Sequence, residues 1–227
     1  MAAEITVQFG VTSSPFGAPA GWVPTGPATK STPKERATAE GNLGNEVASK
    51  TYGDIFEWTQ EFVAASATVA PTVPPVIGIL LGEVILTSIV LNTSNTDFVR
   101  MTLTGHQHTK GTHADTLNQC THGLSVSAAF GAIDFAGGTA GDAADIESST
   151  LTISCQHLDY LDADGQKHLC GNNHTAKASG STTWIGTPTT PVGAGWDQTN
   201  QDNPEATTDF IKNTYTYEKG LTLAAPA

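Results

Sequence analysis

The segment 151–170 constrains the fold of this chain more than any other, because it predicts two antiparallel strands joined by a tight turn. Both arms read as alternating strands of a half-buried sheet. The sequence Asp-Ala-Asp-Gly at residues 162–165 separates them, and Gly165 supplies the positive φ that closes a hairpin turn. The chain therefore contains at least one β-hairpin.

The same period of two recurs in other segments. In one of them Val99, Met101 and Leu103 alternate with polar residues, so a strand with one buried face is predicted there. A helix is the competing interpretation for residues 55–64, and Gly131 interrupts one of the other segments. The segments predicted as strands are residues 55–64, 84–91, 98–108, 124–135, 149–157 and 209–223, the last with Tyr215 and Tyr217 on one face.

Composition supports an all-β protein. The chain has 34 Thr and 23 Gly among 227 residues, and charged residues make up only 14%. Threonine suits a pleated, half-exposed surface and glycine suits turns. We expect a mainly β fold of two packed antiparallel sheets, like a sandwich or barrel, with at most a short helix and extended N- and C-terminal arms.

Proline and glycine mark the domain organisation. They are frequent in residues 1–45, predicted as an extended N-terminal arm, and in residues 187–227, predicted as a C-terminal extension around a β-sandwich core at residues 46–186. Residues 63–82 carry no charge, but their prolines and hydroxyl side chains argue against a membrane span.

Charge and motifs exclude several functions. The net charge is −12 with only ten basic residues, which argues against direct nucleic-acid binding and suits a surface that nucleic acid does not adhere to. No catalytic or cofactor signature occurs, so we expect neither an enzyme nor a cofactor. Three cysteines make a poor disulfide framework, and no secretory signal is visible, so we expect production in a reducing cell.

A zinc site is the one metal hypothesis that the hairpin offers. Cys155, His157, His168 and Cys170 are a familiar tetrahedral ligand set. With an even-numbered loop, His157 faces Cys170 and the four side chains share a face. A type I turn followed by a Gly bulge gives a three-residue loop, which shifts the pairing by one and separates them. We favour this second register and a hairpin without metal.

Other candidate metal sites are weaker. His106 and His108 fall on the polar face of their strand, while His113 and His122 fall in a loop, so surface histidines are expected. Residues 162–165 resemble the start of a calcium loop, but Gly165 comes too early and Asn173 stands where the bidentate Glu belongs.

The layout of residues 51–186 resembles a virion structural protein of tailed bacteriophages, most of all a tail tube (major tail) protein. The segments that carry this resemblance are residues 84–104, 124–135 and 151–184, with residues 63–82 as a long loop against neighbouring subunits. The resemblance lies in the order and style of the strands and transfers no functional residue.

The resemblance implies a self-assembling subunit. Six copies would close a ring with a continuous inner sheet, and rings would stack into a tube through which DNA passes without specific binding. The implied partners are further copies of the chain and other virion proteins, and the implied location is the virion, assembled in the host cytoplasm.

Other functions remain open from the sequence. A capsid decoration or head–tail joining protein has the same general features. A carbohydrate- or receptor-binding β-sandwich would use tryptophans, of which Trp184 and Trp196 are expected in exposed loops. A metal-dependent enzyme built on the histidines and cysteines is the third class.

Overall fold

The protein is all-β, as expected. A computed structural model describes residues 14–17, 19–53, 55–82, 84–108, 119–139, 145–165, 167–203 and 210–224, without the side chains of residues 157–160 and 168–174. No helix occurs in this described part. Its strands are β1 (Trp22–Pro24), β2 (Thr29–Ser31), β3 (Glu35–Glu40), β4 (Glu46–Tyr52), β5 (Ile55–Ala64), β6 (Val76–Ile77), β7 (Leu80–Leu81), β8 (Val84–Ser94), β9 (Arg100–His108), β10 (Cys120–Thr121), β11 (Asp145–Leu161), β12 (Lys167–Ile185), β13 (Asp197–Asp202) and β14 (Lys212–Gly220).

Ten of these strands form one large antiparallel sheet. Its order is β1-β5-β9-β8-β11-β12-β14-β13, with β2 also on β5 and β7 on β8. Two small sheets accompany it, β6 with β10 and β3 with β4. The large sheet does not close into a barrel, and the architecture is consistent with a β-sandwich.

One row of side chains runs across the inner face of the large sheet and forms the centre of the core. Phe62, Met101, Leu91 and Leu151 lie opposite one another on successive strands, all 0% exposed. The row continues through Gly180 to the buried Tyr217. A side chain at Gly180 would meet the Thr150 carbonyl and come within 3.0 Å of the Tyr217 ring, so glycine is required there.

Irregular segments cover this inner face. Residues 124–135, predicted as a strand, form no named strand in the structure, and that prediction was wrong. The segment makes a single bridge, Phe98 to Phe130, and packs Val126 and Phe135 into the core. Buried residues from the charge-free segment, such as Val73 and Ile77, join it. We call these segments, residues 65–82 and 119–139, the cover.

Residues assigned to the two arms also enter the core. Phe16 is 0% exposed and Trp22 is 6% exposed, and both belong to the core cluster; β1 and β2 both pair with β5. At the other end of the chain, β14 lies between β12 and β13 and buries Tyr215 and Tyr217. In the described part of the chain, no helix is long and apolar enough to span a membrane.

Candidate assembly surface

The strand β13 forms one edge of the large sheet. It pairs with β14 on one side, and all six of its residues, Asp197–Asp202, are exposed. Thr199 is the extra residue of a bulge between Gln198 and Asn200 and has no partner on β14. An edge strand of this kind presents unpaired backbone N–H and C=O groups to any strand that approaches.

The opposite edge is built differently. Two strands of three residues each, β1 and β2, pair with successive parts of β5. Pro24 ends β1, and proline cannot donate a ladder hydrogen bond. The two edges of the sheet are therefore different surfaces, one polar and continuous, the other short and interrupted.

The outer face of the sheet, away from the core, is covered by hydroxyl groups. Cross-strand rows such as Asn92, Thr150, Ser181 and Thr216 cross it, all at least partly exposed. Neighbouring strands lie about 4.8 Å apart, so the hydroxyls are closely spaced. We call this surface the hydroxyl face; its Ser and Thr residues are Thr59, Ser88, Ser94, Thr102, Thr104, Ser148, Thr150, Thr152, Ser154, Ser179, Ser181, Thr183, Thr214 and Thr216.

Two basic side chains beside the hydroxyl face, Arg100 and Lys212, are paired with carboxylates. Arg100 Nη1 lies 2.8 Å from Glu61 Oε1, and its Nε lies 3.1 Å from Asp97 Oδ2. Lys212 Nζ lies 2.6 Å from Glu147 Oε1. These two positive charges are therefore balanced locally, which makes each of them a poor site for a phosphate group.

The hairpin of β3 and β4 extends from the sheet without a core of its own. All six residues of β3 and the first six of β4 are exposed, and Tyr52 is half-buried. The turn at its tip closes through the Gly41 N–H bond to Asn45 O, 2.8 Å. Leu43, next to that turn, is 88% exposed, and Val47 is 62% exposed. The sequence did not reveal this hairpin, since its strands lack regular apolar alternation.

The base of this hairpin is fixed to the turn between β11 and β12. The Gly53 N–H donates to Gly165 O at 2.8 Å, and Lys167 Nζ lies 3.4 Å from Glu35 Oε1. The Tyr52 hydroxyl donates to Glu35, and this bond, with Lys167 second, lowers the pKa of the Glu35 carboxyl. Two hairpins therefore meet at one end of the molecule.

The predicted zinc ligands lie on the β11–β12 hairpin. Its register places Tyr160 opposite His168 and His157 opposite Asn173, so His157 does not face Cys170 across the ladder. Gly165 has a φ of 78° and its N–H donates to Asp162 O, as the bulged turn requires.

The four zinc candidates differ in how far the structure describes them. Of its candidate ligands, Cys155 is buried, and burial raises the pKa of its thiol to about 12. The side chains of His157, His168 and Cys170 lie outside the described residues. Within the described part of the chain, no group of three or more His, Cys, Asp or Glu residues is arranged to hold a metal ion.

The histidines expected at the surface divide into two environments. His106 Nε2 lies 3.6 Å from Glu57 Oε1 and is partly exposed, whereas His108 is 6% exposed. His122 is also 6% exposed; its Nε2 lies 2.7 Å from Pro74 O, and its Nδ1 accepts the Leu124 N–H at 3.0 Å. Burial lowers the pKa of the His122 imidazole. The expectation of a surface position was wrong for His108 and His122, and His113 lies outside the described residues.

The tryptophans do not form an exposed stacking platform. Trp184 lies in β12 and is 1% exposed, so the prediction of an exposed loop position was wrong. Trp196 is half-buried, with its ring 5.1 Å from the Tyr217 ring in an edge-to-face contact. Neither ring is free to stack broadly on a sugar.

One buried polar network was not foreseen. Asp134, in the cover, accepts the Ala136 N–H at 3.1 Å and the Thr182 hydroxyl at 3.2 Å. Thr182 lies 2.8 Å from Ser149 and 3.1 Å from the Tyr217 hydroxyl. Desolvation raises the pKa of the Asp134 carboxyl. The network attaches the cover to the sheet; a single acidic residue within an apolar, Gly-rich stretch was its only sequence signal.

No protein-family model matches this chain, and no curated protein matches it either. The surfaces described above therefore carry the functional argument by themselves: two unlike sheet edges, a hydroxyl face and a hairpin without a core.

Proposed function

We propose that this protein is a structural subunit that self-assembles edge to edge into rings, stacked as the tail tube of a tailed bacteriophage and forming a conduit for DNA. The observation that carries the proposal is the pair of unlike edges on one ten-stranded sheet. Strand edges that stay open invite uncontrolled pairing, and pairing with another copy removes that liability.

Unlike edges favour a ring. If β13 of one copy pairs with the β1/β2 edge of the next, the contact is head-to-tail, and repeating it closes a ring or builds a helix. The sheet then continues from copy to copy. The six-residue length of β13 is ample for such a ladder.

The hydroxyl face suits the inside of a conduit for DNA. Neutral hydroxyls hydrate well, and the net charge of −12 repels a polyanion. Arg100 and Lys212, which could otherwise hold phosphates, are already paired with carboxylates. A conduit built from this face would hold DNA weakly, which passage requires.

The test is electron microscopy of purified protein over a concentration series, with two substitutions at Thr199. Thr199→Pro removes a backbone N–H at the bulge of β13 without breaking a pair with β14, and Thr199→Ala keeps that N–H. We expect rings or tubes from the natural protein and from Thr199→Ala, and none from Thr199→Pro at the same concentrations.

The outcomes separate the alternatives. Uniform single particles from the natural protein at every concentration would overturn the proposal. Rings that never stack would favour a decoration or joining role over a tube. Normal assembly of Thr199→Pro would show that β13 is not the contact edge.

A further inference from the structure

We propose that a cavity between the cover and one end of the large sheet binds a neutral sugar residue. This binding function is additional to the structural one proposed above and does not depend on self-assembly. It follows from three properties of the cavity: walls fixed by backbone contacts, polar side chains without partners, and no basic side chain among the described residues that line it.

The cavity has a volume of about 580 Å³ and lies where three strands of the sheet begin or end. Asn95 directly follows β8, Asp145 begins β11 and Ile185 ends β12, and all three line it. Ala132 and Gly138 of the cover also line it. The volume is in the range of small-molecule sites in proteins.

Backbone contacts fix the walls of this cavity. The Asn95 N–H donates to Glu147 O at 2.9 Å, which connects the end of β8 to the beginning of β11. On the cover, the Thr139 N–H donates to Thr190 O at 2.6 Å. A side chain at Gly138 would come within 2.6 Å of the same Thr190 oxygen, so the two segments are in close contact there. The cavity is therefore largely pre-formed, and a ligand loses little affinity to the ordering of its walls.

Polar side chains of the lining lack partners. Trp184, at the end of β12, lines the cavity and is 1% exposed, and its indole N–H has no acceptor in the described part of the chain. Among the described residues, no hydrogen bond or ion pair involves the side-chain amide of Asn95 or the carboxylate of Asp145. Buried donors without an acceptor are rare in proteins, so the N–H of Trp184 indicates a bound molecule that accepts from it.

The chemistry of the lining selects a neutral ligand that carries hydroxyl groups. None of the described lining residues is basic, and the carboxylate of Asp145 repels anions. The indole N–H of Trp184 can only donate and a carboxylate can only accept, whereas a sugar hydroxyl does both.

The apolar part of the lining suits the C–H groups of a sugar ring. Ile146 and Ile185 lie beside the polar groups and supply aliphatic contacts. The Trp184 ring is too deeply buried to stack on the sugar, so hydrogen bonds and these aliphatic contacts hold it.

The test follows the indole N–H signals by NMR in protein with isotope-labelled tryptophan, below its assembly concentration. Methyl glycosides of glucose, galactose, mannose and N-acetylglucosamine are added at millimolar concentrations. We expect at least one of them to shift the Trp184 signal, which is identified by its through-space contacts with Ile146. The signals of Trp22 and Trp58, which already donate to Thr72 O and Gln107 Oε1, should not move.

Two variants locate the binding. Asp145→Ala removes the carboxylate at the cavity, and Asp164→Ala is the matched control because it removes an exposed carboxylate at the other end of the β11–β12 hairpin. We expect Asp145→Ala to raise the dissociation constant at least about tenfold, since a hydrogen bond to a charged group is lost. Asp164→Ala should bind like the natural protein, and both variants should keep its melting temperature.

The outcomes decide the ligand class. A Trp184 shift with the diamine putrescine and with none of the glycosides would overturn the sugar site in favour of an organic cation. No shift with any glycoside, or equal affinities of Asp145→Ala and the natural protein, would also overturn it. Methyl glycosides that bind as tightly as the free sugars support the end of a glycan chain as the source, and tighter binding of the free sugars supports a free monosaccharide. None of these results bears on self-assembly.

Discussion

The β11–β12 hairpin and the β3–β4 hairpin have the same backbone plan in opposite surroundings. β8 pairs with β11 on one side and β14 pairs with β12 on the other, and the cover lies over their inner face, where Leu151 and Ile153 are 0% exposed. The β3–β4 hairpin has no neighbouring strand in the described part of the chain. The comparison teaches that burial by neighbours, more than the ladder itself, makes one hairpin a core element and leaves the other exposed.

Their sequences differ in the same sense. Leu151, Ile153 and Cys155 place an apolar side chain at every second position in the middle of β11, which is the pattern that a buried face requires. In β4 the apolar side chains Val47 and Ala48 are adjacent, so they point to opposite faces and form no stripe.

Truncating an apolar side chain to alanine should change the free energy of unfolding far more in the β11–β12 hairpin than in the β3–β4 hairpin. This difference is the largest effect that we expect. Leu151→Ala should lower the free energy of unfolding by about 3 kcal/mol, because it leaves a cavity in the central row. Val47→Ala should change it by less than about 0.5 kcal/mol, because the side chain is already in water. Urea unfolding at concentrations below assembly measures both.

A comparable loss from Val47→Ala in the monomer would break the comparison. It would mean that the β3–β4 hairpin folds back and packs on its own chain.

Acid should weaken the buried cover and not the exposed hairpin. Because burial lowers the pKa of His122 in the folded state, the unfolded chain binds its proton more readily. Stability should therefore fall as the pH drops below about 6.5. The protonated Nδ1 can no longer accept the Leu124 N–H, a loss of about 1 kcal/mol. Thermal melts between pH 7 and pH 5 measure the effect.

His122→Gln is the control for this titration, since glutamine does not ionise. We expect a shallower dependence of melting temperature on pH in this variant, whatever its stability at pH 7. The pKa of Asp134 is raised in the folded state, so the folded protein binds this proton more readily and acid acts on stability in the opposite direction. Asp134 is present in both the natural protein and the variant, so it does not affect the difference between them. Equal slopes would show that His122 does not titrate as its burial requires.

The smallest effect should come from the anchor between the two hairpins. Glu35 is fully exposed and its partner Lys167 partly so, and water screens such pairs. Glu35→Gln should leave the melting temperature unchanged within error, since the Gly53–Gly165 backbone bond remains. A clear decrease would mean that the side chains, not the backbone, hold the hairpin base.

Much of the large sheet was predictable because its strands carry a periodic signal. Alternation at Met101 and Leu103 in β9, the apolar run of β8 and the two tyrosines of β14 all reflect faces that the sheet buries. The abundance of threonine corresponds to the hydroxyl face. Each of these features is contained in the sequence of a single strand, so it can be recognised without knowing the fold.

The sequence predictions that were wrong concern features that depend on which other segments pack on a strand. Residues 124–135 have apolar side chains at strand-like spacing, but Gly123 and Gly131, with φ of 64° and 94°, bend the chain across the sheet. Trp184 looked exposed although it packs with Tyr215, Ile146 and Val192, and His122 looked exposed because it lies within the cover, which is irregular and has no period. The β3–β4 hairpin was not predicted at all, because its strands lack the apolar alternation by which the other strands were recognised.

The cover differs from the sheet beneath it in how its backbone is held. Several of its N–H groups donate to side-chain atoms, those of Leu124 to His122, Ile133 to Thr93 and Ala136 to Asp134. Such bonds do not form a continuous ladder, so the loss of one does not require the next strand to separate. We therefore expect amide hydrogens of the cover to exchange with solvent sooner than those of the ten-stranded sheet.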